Sequence, residues 1–200
     1  MKTGCDYLAV ELGENFTAAM RERFGAYENF EIVNADFETY DFGRDRFDLV
    51  YSAATIQWID EDIAFPKAYE ILKPGGVLAM FMTQKDYKSP NEDLFNEIQE
   101  VYTKYFQPET RYDREFDYTH ATDYGFVNFE RREYPGTRVY SAEDYISRIG
   151  IYADHLTLPE PNKSKFFDGI REAIERHGGT ITLADIVVLY LARKPKTTKE

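Results

Sequence analysis

Short apolar runs alternate with amphipathic segments through the first half of the chain. Four runs have the length and composition of strands: YLAVE (7–11), FEIVNADF (30–37), FDLVYSAA (47–54) and VLAMFM (77–82). The first is typical of a strand that is covered on both faces, and the last is also expected to be buried. Helical periodicity fills the intervals between them. Strands that alternate with helices at this spacing predict a parallel sheet with right-handed crossovers.

Two of the connecting helices can be delimited from the sequence. Asn15 is suited to cap the first, which has Phe16 and Phe24 on one apolar side. The second is predicted over 62–72, where Pro66 is tolerated only if it lies in the first turn. The segment LKPGG ends that helix, because proline cannot continue it and the glycines permit a tight reversal.

The second half of the chain has a different organisation. A helix with an apolar face is predicted to begin at 89–90, and the alternating run 125–134 predicts a strand. Ser141 has the spacing of a helix cap, and the last strand is predicted over 185–194. The interval 135–180 is therefore expected to be a helical insertion before the last strand.

The composition suits one globular domain. Hydrophobic residues are 43% of the 200 residues, which is enough to bury a core. We expect a single α/β domain over 1–200, whose sheet core comprises 1–134 and 181–195. The insertion over 135–180 is then a candidate lid over a substrate.

The charge and the cysteine content limit the partners and the compartment. A formal net charge of −12 argues against nucleic acid or an anionic membrane as a partner, because both repel an acidic surface. Cys5 is the only cysteine, which excludes an internal disulfide and fits a reducing compartment. No apolar run approaches the roughly 20 residues that span a bilayer, and no signal-peptide pattern is present. We expect a cytoplasmic protein.

Candidate chemistry lies at the ends of the predicted strands. Glu11 ends the first run, and a carboxylate there can accept both hydroxyls of a ribose. Asp36 and Phe37 end the second run. An acid there can accept a hydrogen bond from the exocyclic amine of adenine, and an aromatic ring beside it can stack on the base. Ser52 and Ala53 are small enough to let a ligand approach the backbone. Taken alone, Glu11 is equally interpretable as a solvated residue at a helix entry. For Asp36, an ordinary acid at a strand-to-turn junction is the more ordinary interpretation.

Taken in order, these segments resemble the class I S-adenosylmethionine-dependent methyltransferases. The segments that carry the resemblance are LAVELGENF, NADF, FDLVYSAATIQWID and EILKPGGVLAMF, and they cover about 4–83. The IQW segment is similar to small-molecule methyltransferases of the trans-aconitate methyltransferase type. The run 185–194 fits the antiparallel last strand of the family.

The resemblance implies a Rossmann-like sheet, mostly parallel, and S-adenosyl-L-methionine as the cofactor. It implies that the first acid holds the ribose, that the acid–aromatic pair holds the adenine, and that the small residues lie beside the methionine portion. A small molecule is the implied methyl acceptor. The cofactor residues implied in this way are Glu11, Leu12, Asp36, Phe37, Ser52 and Ala53.

Several aromatic residues are candidates for lining an acceptor pocket. Trp58 follows the third run and is suited to wall a pocket, although a single tryptophan is more often a core residue. Tyr140 and Tyr145 lie in the insertion and are candidate acceptor contacts. Packing beneath the lid is an equally good interpretation of both tyrosines.

Arginines and histidines suggest further roles. Arg131, Arg132 and Arg138 are suited to attract a carboxylate acceptor, and a solvated basic strand is the more ordinary interpretation. His120 and His155 are candidate bases because histidine titrates near neutral pH. The family mainly aligns an acceptor with the sulfonium methyl, so no catalytic residue is assigned. The histidines and the cysteine are too scattered to predict a metal site.

The family's glycine-rich loop is not found before Glu11, where only MKTGC and a strand precede it. We therefore expect this chain to begin after the family's first strand and loop. The strands on either side of that first strand would then pair directly, pair with another chain, or be only partly ordered. We also expect impaired activity, with weak or no binding of S-adenosylmethionine.

Two alternative functions follow from the same residues. A non-catalytic remnant would act by association with a partner that completes the sheet, and an exposed sheet edge would also permit self-association. A nicotinamide-dependent dehydrogenase would also use Glu11, but it requires a G-x-G-x-x-G segment before the acid and has no need of LKPGG.

Overall fold

The computed structural model describes residues 4–86, 91–108 and 116–197. Its strands are β1 (Tyr7–Glu11), β2 (Phe30–Asn34), β3 (Phe47–Ala53), β4 (Leu72–Asp86), β5 (Val127–Ser141) and β6 (Thr180–Arg193). Its α-helices are α1 (Glu14–Phe24), α2 (Glu61–Ile71), α3 (Glu92–Tyr105), α4 (Ala142–Ile149), α5 (Ala153–Leu156) and α6 (Asn162–Arg176). Short 3₁₀ segments span Ile56–Trp58 and Tyr118–Tyr124. No helix in the described ranges combines the length and the apolar character needed to cross a membrane.

The strands form two ladders. β1 and β2 pair in parallel, and a second sheet has the order β3-β4-β6-β5. In that sheet β3 and β4 are parallel, whereas β6 is antiparallel to both β4 and β5. The α/β class and the antiparallel last strand predicted from the sequence are therefore confirmed.

β1 and β3 each keep one edge that forms no ladder with another described strand. β1 pairs with β2, and β3 pairs with β4. Direct pairing of β1 with β3, one of the expected arrangements, does not occur in the described ranges. Leu49 and Tyr51 of β3 are 52% and 56% exposed, so apolar side chains accompany this open edge.

Two hydrophobic clusters hold the rest of the molecule together. In the first, α2 packs on β4 and β6 through residues such as Phe65, Met80 and Val188. In the second, α3, α4 and α6 pack around residues such as Ile98 and Ile170 and reach the beginning of β6. The helices after β5 and α3 thus form a cap with its own core, whose role as a lid over a substrate stays a prediction.

The N-terminal region differs from its prediction. α1 begins at Glu14 after Gly13, so Asn15 is not its cap, and Phe16 is 70% exposed instead of packed. All five residues of β1 are only partly buried, so the prediction of a strand covered on both faces is wrong for β1. The reason is that α1 buries only Thr17, so the helix covers little of the ladder.

Other strand and helix boundaries also differ from their predictions. β5 runs to Ser141, because its pairing with β6 continues to Thr180, so the helical part of the insertion begins only after Ser141. Ser141 does cap α4 by accepting from the Asp144 N–H at 3.1 Å, as predicted. Pro66 lies in the second turn of α2, not the first, and the burial of neighbouring Phe65 favours the helix despite it. The predicted helix start at 89–90 lies outside the described residues.

Candidate cofactor site and the adjoining cleft

The two candidate cofactor acids lie at the ends of adjacent parallel strands. Glu11 is the partner of Asn34 in the β1–β2 ladder, and Asp36 comes two residues after Asn34. The connection is fixed by the backbone, because the Ala35 N–H donates to the Glu11 carbonyl at 3.1 Å. The side chain of Asn34 donates to the same carbonyl at 2.9 Å. The carboxyl ends of the two strands therefore present both acids at one edge of the ladder.

Each acid has one oxygen held by the local backbone. Oε1 of Glu11 accepts from the Gly13 N–H at 2.7 Å, which closes the turn into α1. Oδ1 of Asp36 accepts from the Glu38 N–H at 2.8 Å. Within the described residues, the second oxygen of each carboxylate has no hydrogen-bond partner. The backbone therefore orients both carboxylates, and each has one oxygen that can accept a hydrogen bond from a ligand.

The residues beside the acids differ in exposure. Leu12 is 73% exposed, directly after β1. Phe37 is half-buried, with its ring centroid 5.4 Å from that of Phe42. Nζ of Lys67 lies 5.6 Å from the Phe37 ring centroid and donates to the Glu38 carbonyl at 2.8 Å. α2 thereby holds the segment after β2 in place.

The end of β3 is a tight turn. The Ile56 N–H donates to Oγ of Ser52 at 2.9 Å, so this hydroxyl organises the entry into the 3₁₀ segment. Ala53 is the last residue of β3, and Ala54 has φ 53°, in the left-handed region that non-glycine residues seldom adopt. Backbone strain of this kind is concentrated at functional sites. The structure places these small residues at the carboxyl end of β3, in the sheet that does not include β1.

An open cleft of about 530 Å³ adjoins that strand end. Ala53 pairs with Phe81 of β4, and the cleft begins at the next residue of β4, Met82, and at Gln57 after β3. Its walls are aromatic, since Tyr118 and Tyr190 stack in parallel with ring centroids 4.4 Å apart. The lining residues are Gln57, Met82, Gln84, Phe116, Asp117, Tyr118, Thr119, Arg131 and Tyr190.

The structure separates the three candidate arginines. Arg131 lines the cleft, and its guanidinium carbon lies 5.9 Å from the Tyr190 ring centroid. A hydrogen bond with Tyr190, followed by an ion pair with Glu133, raises the pKa of Arg131 above its ordinary value. Arg132 pairs instead with Glu130, and neither Arg132 nor Arg138 is among the cleft residues.

Sequence reasoning missed Tyr118 and Tyr190. Burial raises the pKa of Tyr118 to about 12, with a smaller contribution from Tyr190, so the phenol is a hydrogen-bond donor at neutral pH. Its hydroxyl lies 3.4 Å from Oε1 of Gln57. Alternation along β6 marks Tyr190 as a core position, but nothing in the sequence indicates which residue of 116–124 would stack on it.

The predicted acceptor residues lie apart from one another. Trp58 is 50% exposed beside Gln57 at the cleft. Tyr140 and Tyr145 belong to the second hydrophobic cluster. Tyr145 is buried, and burial raises its pKa to about 12, with Tyr152 as the next cause. The role of all three predicted residues in acceptor binding stays a prediction.

The histidines make contacts within the protein. His155 is buried, and its Nδ1 lies 2.7 Å from Oδ1 of Asp154 while its Nε2 shares a 3.0 Å hydrogen bond with the Tyr102 hydroxyl. His120 pairs with Glu61 at 2.7 Å on the surface. These contacts link helices and favour structural roles, the more ordinary interpretation of both residues.

The first part of the chain is similar to known methyltransferases. A family profile described as "Methyltransferase domain" matches residues 1–80. A malonyl-[acyl-carrier protein] O-methyltransferase of Enterobacter lignolyticus (strain SCF1) is 36% identical over 77 residues. These residues are 38% of this chain and 30% of that protein, so the match spans less than a third of the relative's length.

Solved structures share the fold. A Bacillus halodurans C-125 protein with a provisional methyltransferase assignment has a TM-score of 0.56 at 21% identity, over 94% of this chain and 83% of its own. Haemonchus contortus phosphoethanolamine N-methyltransferase 2, solved with phosphomonomethylethanolamine and S-adenosylhomocysteine, has a TM-score of 0.52 at 18% identity, over 96% of this chain and 44% of its own. At these identities the likeness concerns the fold alone. Together, the comparisons show that residues 1–80 are similar to methyltransferase domains and that the chain shares the fold of solved methyltransferase structures.

Proposed function

We propose that this chain serves S-adenosylmethionine-dependent methyl transfer to a small-molecule acceptor. The observation that supports the proposal most directly is the juxtaposition of Glu11 and Asp36 at the ends of adjacent parallel strands. Both acids lie inside the segment that the family profile matches. Two acceptors at the carboxyl ends of neighbouring strands suit the ribose and the base of one nucleoside.

The residues present fit the cofactor in a specific way. The unengaged oxygen of Glu11 would accept from a ribose hydroxyl, and that of Asp36 would accept from the adenine amine. Phe37 would pack on the base. Ser52 and Ala53 would lie beside the methionine portion, where a small side chain permits close approach. When bound, the cofactor supplies an electrophilic methyl group, and the chain's own task is to orient the acceptor toward it.

The cleft beside β3 and β4 is the proposed acceptor site. It begins one residue beyond the Ala53–Phe81 pair, so an acceptor there would be adjacent to the proposed methionine position. Arg131 is the cation among the cleft residues and would attract a carboxylate. The acceptor named for the Enterobacter relative contains a malonyl group, which carries a carboxylate. The match to that relative is too short to extend its substrate to this chain.

The test combines cofactor binding with transfer of a radiolabelled methyl group to a panel of small carboxylates. Arg131→Gln should raise KM for carboxylate acceptors, whereas the matched variant Arg132→Gln should not. Transfer that is unaffected by Arg131→Gln would remove this residue from the proposal, and no transfer to any acceptor would argue against methyl transfer itself.

An alternative function is association with a partner that completes the sheet. The open ladder edges of β1 and β3, with Leu49 and Tyr51 exposed, favour this alternative. Self-association would use the same edges. Analytical ultracentrifugation over a range of concentrations tests it: concentration-dependent dimers support self-association, while a monomer at every concentration contradicts it.

A further inference from the structure

The segment that carries Asp36 and Phe37 receives little support from its own packing. None of the residues 36–41 is buried. The turn is closed locally, because the N–H groups of Thr39 and Tyr40 donate to the Asp36 carbonyl at 3.2 and 2.9 Å. These bonds fix the backbone of the turn but do not hold the Phe37 ring. The orientation of the ring therefore depends on contacts from outside the turn.

Lys67 of α2 supplies such contacts. Its Nζ donates to the Glu38 carbonyl at 2.8 Å and lies over the rings of Phe37 and Phe42, at 5.6 and 5.5 Å from their centroids. A cation within about 6 Å of a ring centroid is attracted by the face of the ring. The Glu38 N–H in turn holds Oδ1 of Asp36 at 2.8 Å. One ammonium group thus helps to fix both the aromatic ring and the turn that orients the acid.

The helix that carries Lys67 is firmly held. Its residues Ala64, Phe65 and Ala68 are fully buried in the first hydrophobic cluster. The side chain of Lys67 is itself half-buried between this helix and the segment after β2. The well-packed part of the molecule in this way orients a segment that buries little surface of its own.

We propose that Lys67 is a positioning residue for the adenine part of the bound cofactor. It acts through the Phe37 ring and through the turn at residues 36–38, and it does not itself touch the base. Because the ring and the acid are oriented before binding, less conformational freedom is lost when the base stacks. The inference rests on the proposed function, since it takes Asp36 and Phe37 as the adenine contacts.

The test measures the binding of adenosine to the full chain by ligand-observed NMR. Lys67→Met keeps a long side chain but removes the charge and the hydrogen-bond donor. We expect it to weaken adenosine binding about fivefold, the loss expected for a cation–π contact at a partly exposed site. Lys67→Arg keeps a cation and a donor, so it should restore the affinity to within about twofold of the wild type.

The matched control is Lys73→Met. Lys73 lies in β4, and its Nζ donates to Oδ2 of Asp48 at 2.8 Å. The control removes a partly exposed lysine that pairs away from the segment after β2, so it should leave adenosine binding unchanged. The ¹H–¹⁵N spectrum of each variant establishes that the β1–β2 ladder is intact.

A double-mutant cycle shows whether Lys67 acts through the ring. Phe37→Leu removes the aromatic ring, so adding Lys67→Met to it should weaken binding further by less than about twofold. If Lys67 only supported the fold, the same substitution would weaken binding by the same factor in both backgrounds.

Three outcomes would overturn the inference while wild-type binding is intact. The first is equal affinity of the wild type and Lys67→Met. The second is a loss that Lys67→Arg does not restore, and the third is a loss that persists undiminished in the Phe37→Leu background. Failure of the wild type to bind adenosine would contradict the proposed cofactor site itself, and this inference with it.

Discussion

The N-terminal part of the chain and the part that follows it differ in what holds them together. Between residues 4 and 41, Thr17 is the one buried residue, whereas the segments from Phe42 onward supply both hydrophobic clusters. The candidate cofactor acids Glu11 and Asp36 nevertheless belong to the first part. The two candidate cofactor acids and the contacts that stabilise the fold therefore lie in different regions.

This difference has a physical cause. The β1–β2 ladder with α1 buries little apolar surface, and a two-stranded ladder is marginally stable without further packing. From Phe42 onward, β4 is paired with β3 on one side and with β6 on the other, and α2 packs against it. The candidate cofactor acids thus lie in a region whose packing alone would not maintain it.

The largest expected effect contrasts one phenylalanine from each region. Phe65 is fully buried and contacts the rings of Phe116 and Tyr124, so Phe65→Ala should lower the free energy of unfolding by about 3–5 kcal/mol. Phe16 is 70% exposed, and Phe16→Ala should change the free energy of unfolding by no more than about 0.5 kcal/mol. Urea denaturation measures both. Similar losses for the two variants would contradict the contrast.

The second prediction tests whether the N-terminal part of the chain, residues 4–41, binds the cofactor. Glu11→Gln should weaken S-adenosylmethionine binding by about tenfold, since it removes a charged acceptor for the ribose. Glu31→Gln, on the exposed side of β2, is the matched control and should have no effect. Ligand-observed NMR at high cofactor concentration measures weak binding. Equal affinities for the two variants would exclude Glu11 from the site.

The third prediction concerns only the part of the chain from Phe42 onward. Glu97 joins α3 to the end of α6 through Arg176 and His177, and the hydrogen bond from Arg176 is the main cause that lowers the pKa of Glu97. Glu97→Gln should cost about 1 kcal/mol, as expected for a small ion-pair network. Because the folded pKa is lowered, this contribution is present above the unfolded pKa of 4.5 and is lost as the pH falls through the folded pKa.

Urea midpoints at neutral and acidic pH test that prediction. The wild type and Glu97→Gln should differ at pH 7 and converge in acid. A Glu172→Gln control on α6 should show a smaller difference, because Glu172 is 69% exposed and its ion pair with Arg176 is longer, at 3.6 Å.

The smallest expected effect is at the surface pair His120–Glu61. The hydrogen bond to Glu61 is the main cause that raises the pKa of His120. Its stabilising contribution is complete below the unfolded pKa of about 6.5 and is lost as the pH rises through the higher folded pKa. Thermal unfolding of wild type and Glu61→Gln should therefore differ slightly below pH 6 and not above pH 8. A difference that grows with pH would contradict this assignment.

The sequence predicted some features well because they depend on neighbouring residues. β1 was located at 7–11, and the Ser141 cap was identified, since strand runs and capping spacings are local patterns. Asn15 failed as a cap because the Glu11 carboxylate turns the chain into α1 at Gly13. The extension of β5 to Ser141 was missed because its pairing with β6 is a contact between distant segments.

The sequence by itself determined the α/β class and the order of the candidate cofactor residues, because these follow from periodicity and from short motifs. Tertiary structure decided that Glu11 and Asp36 share one edge, that Arg131 alone of the three arginines enters the cleft, and that Lys67 lies over the Phe37 ring. The physical reason is that strand register and helix packing bring distant residues together, and neither is encoded in the spacing of any one segment.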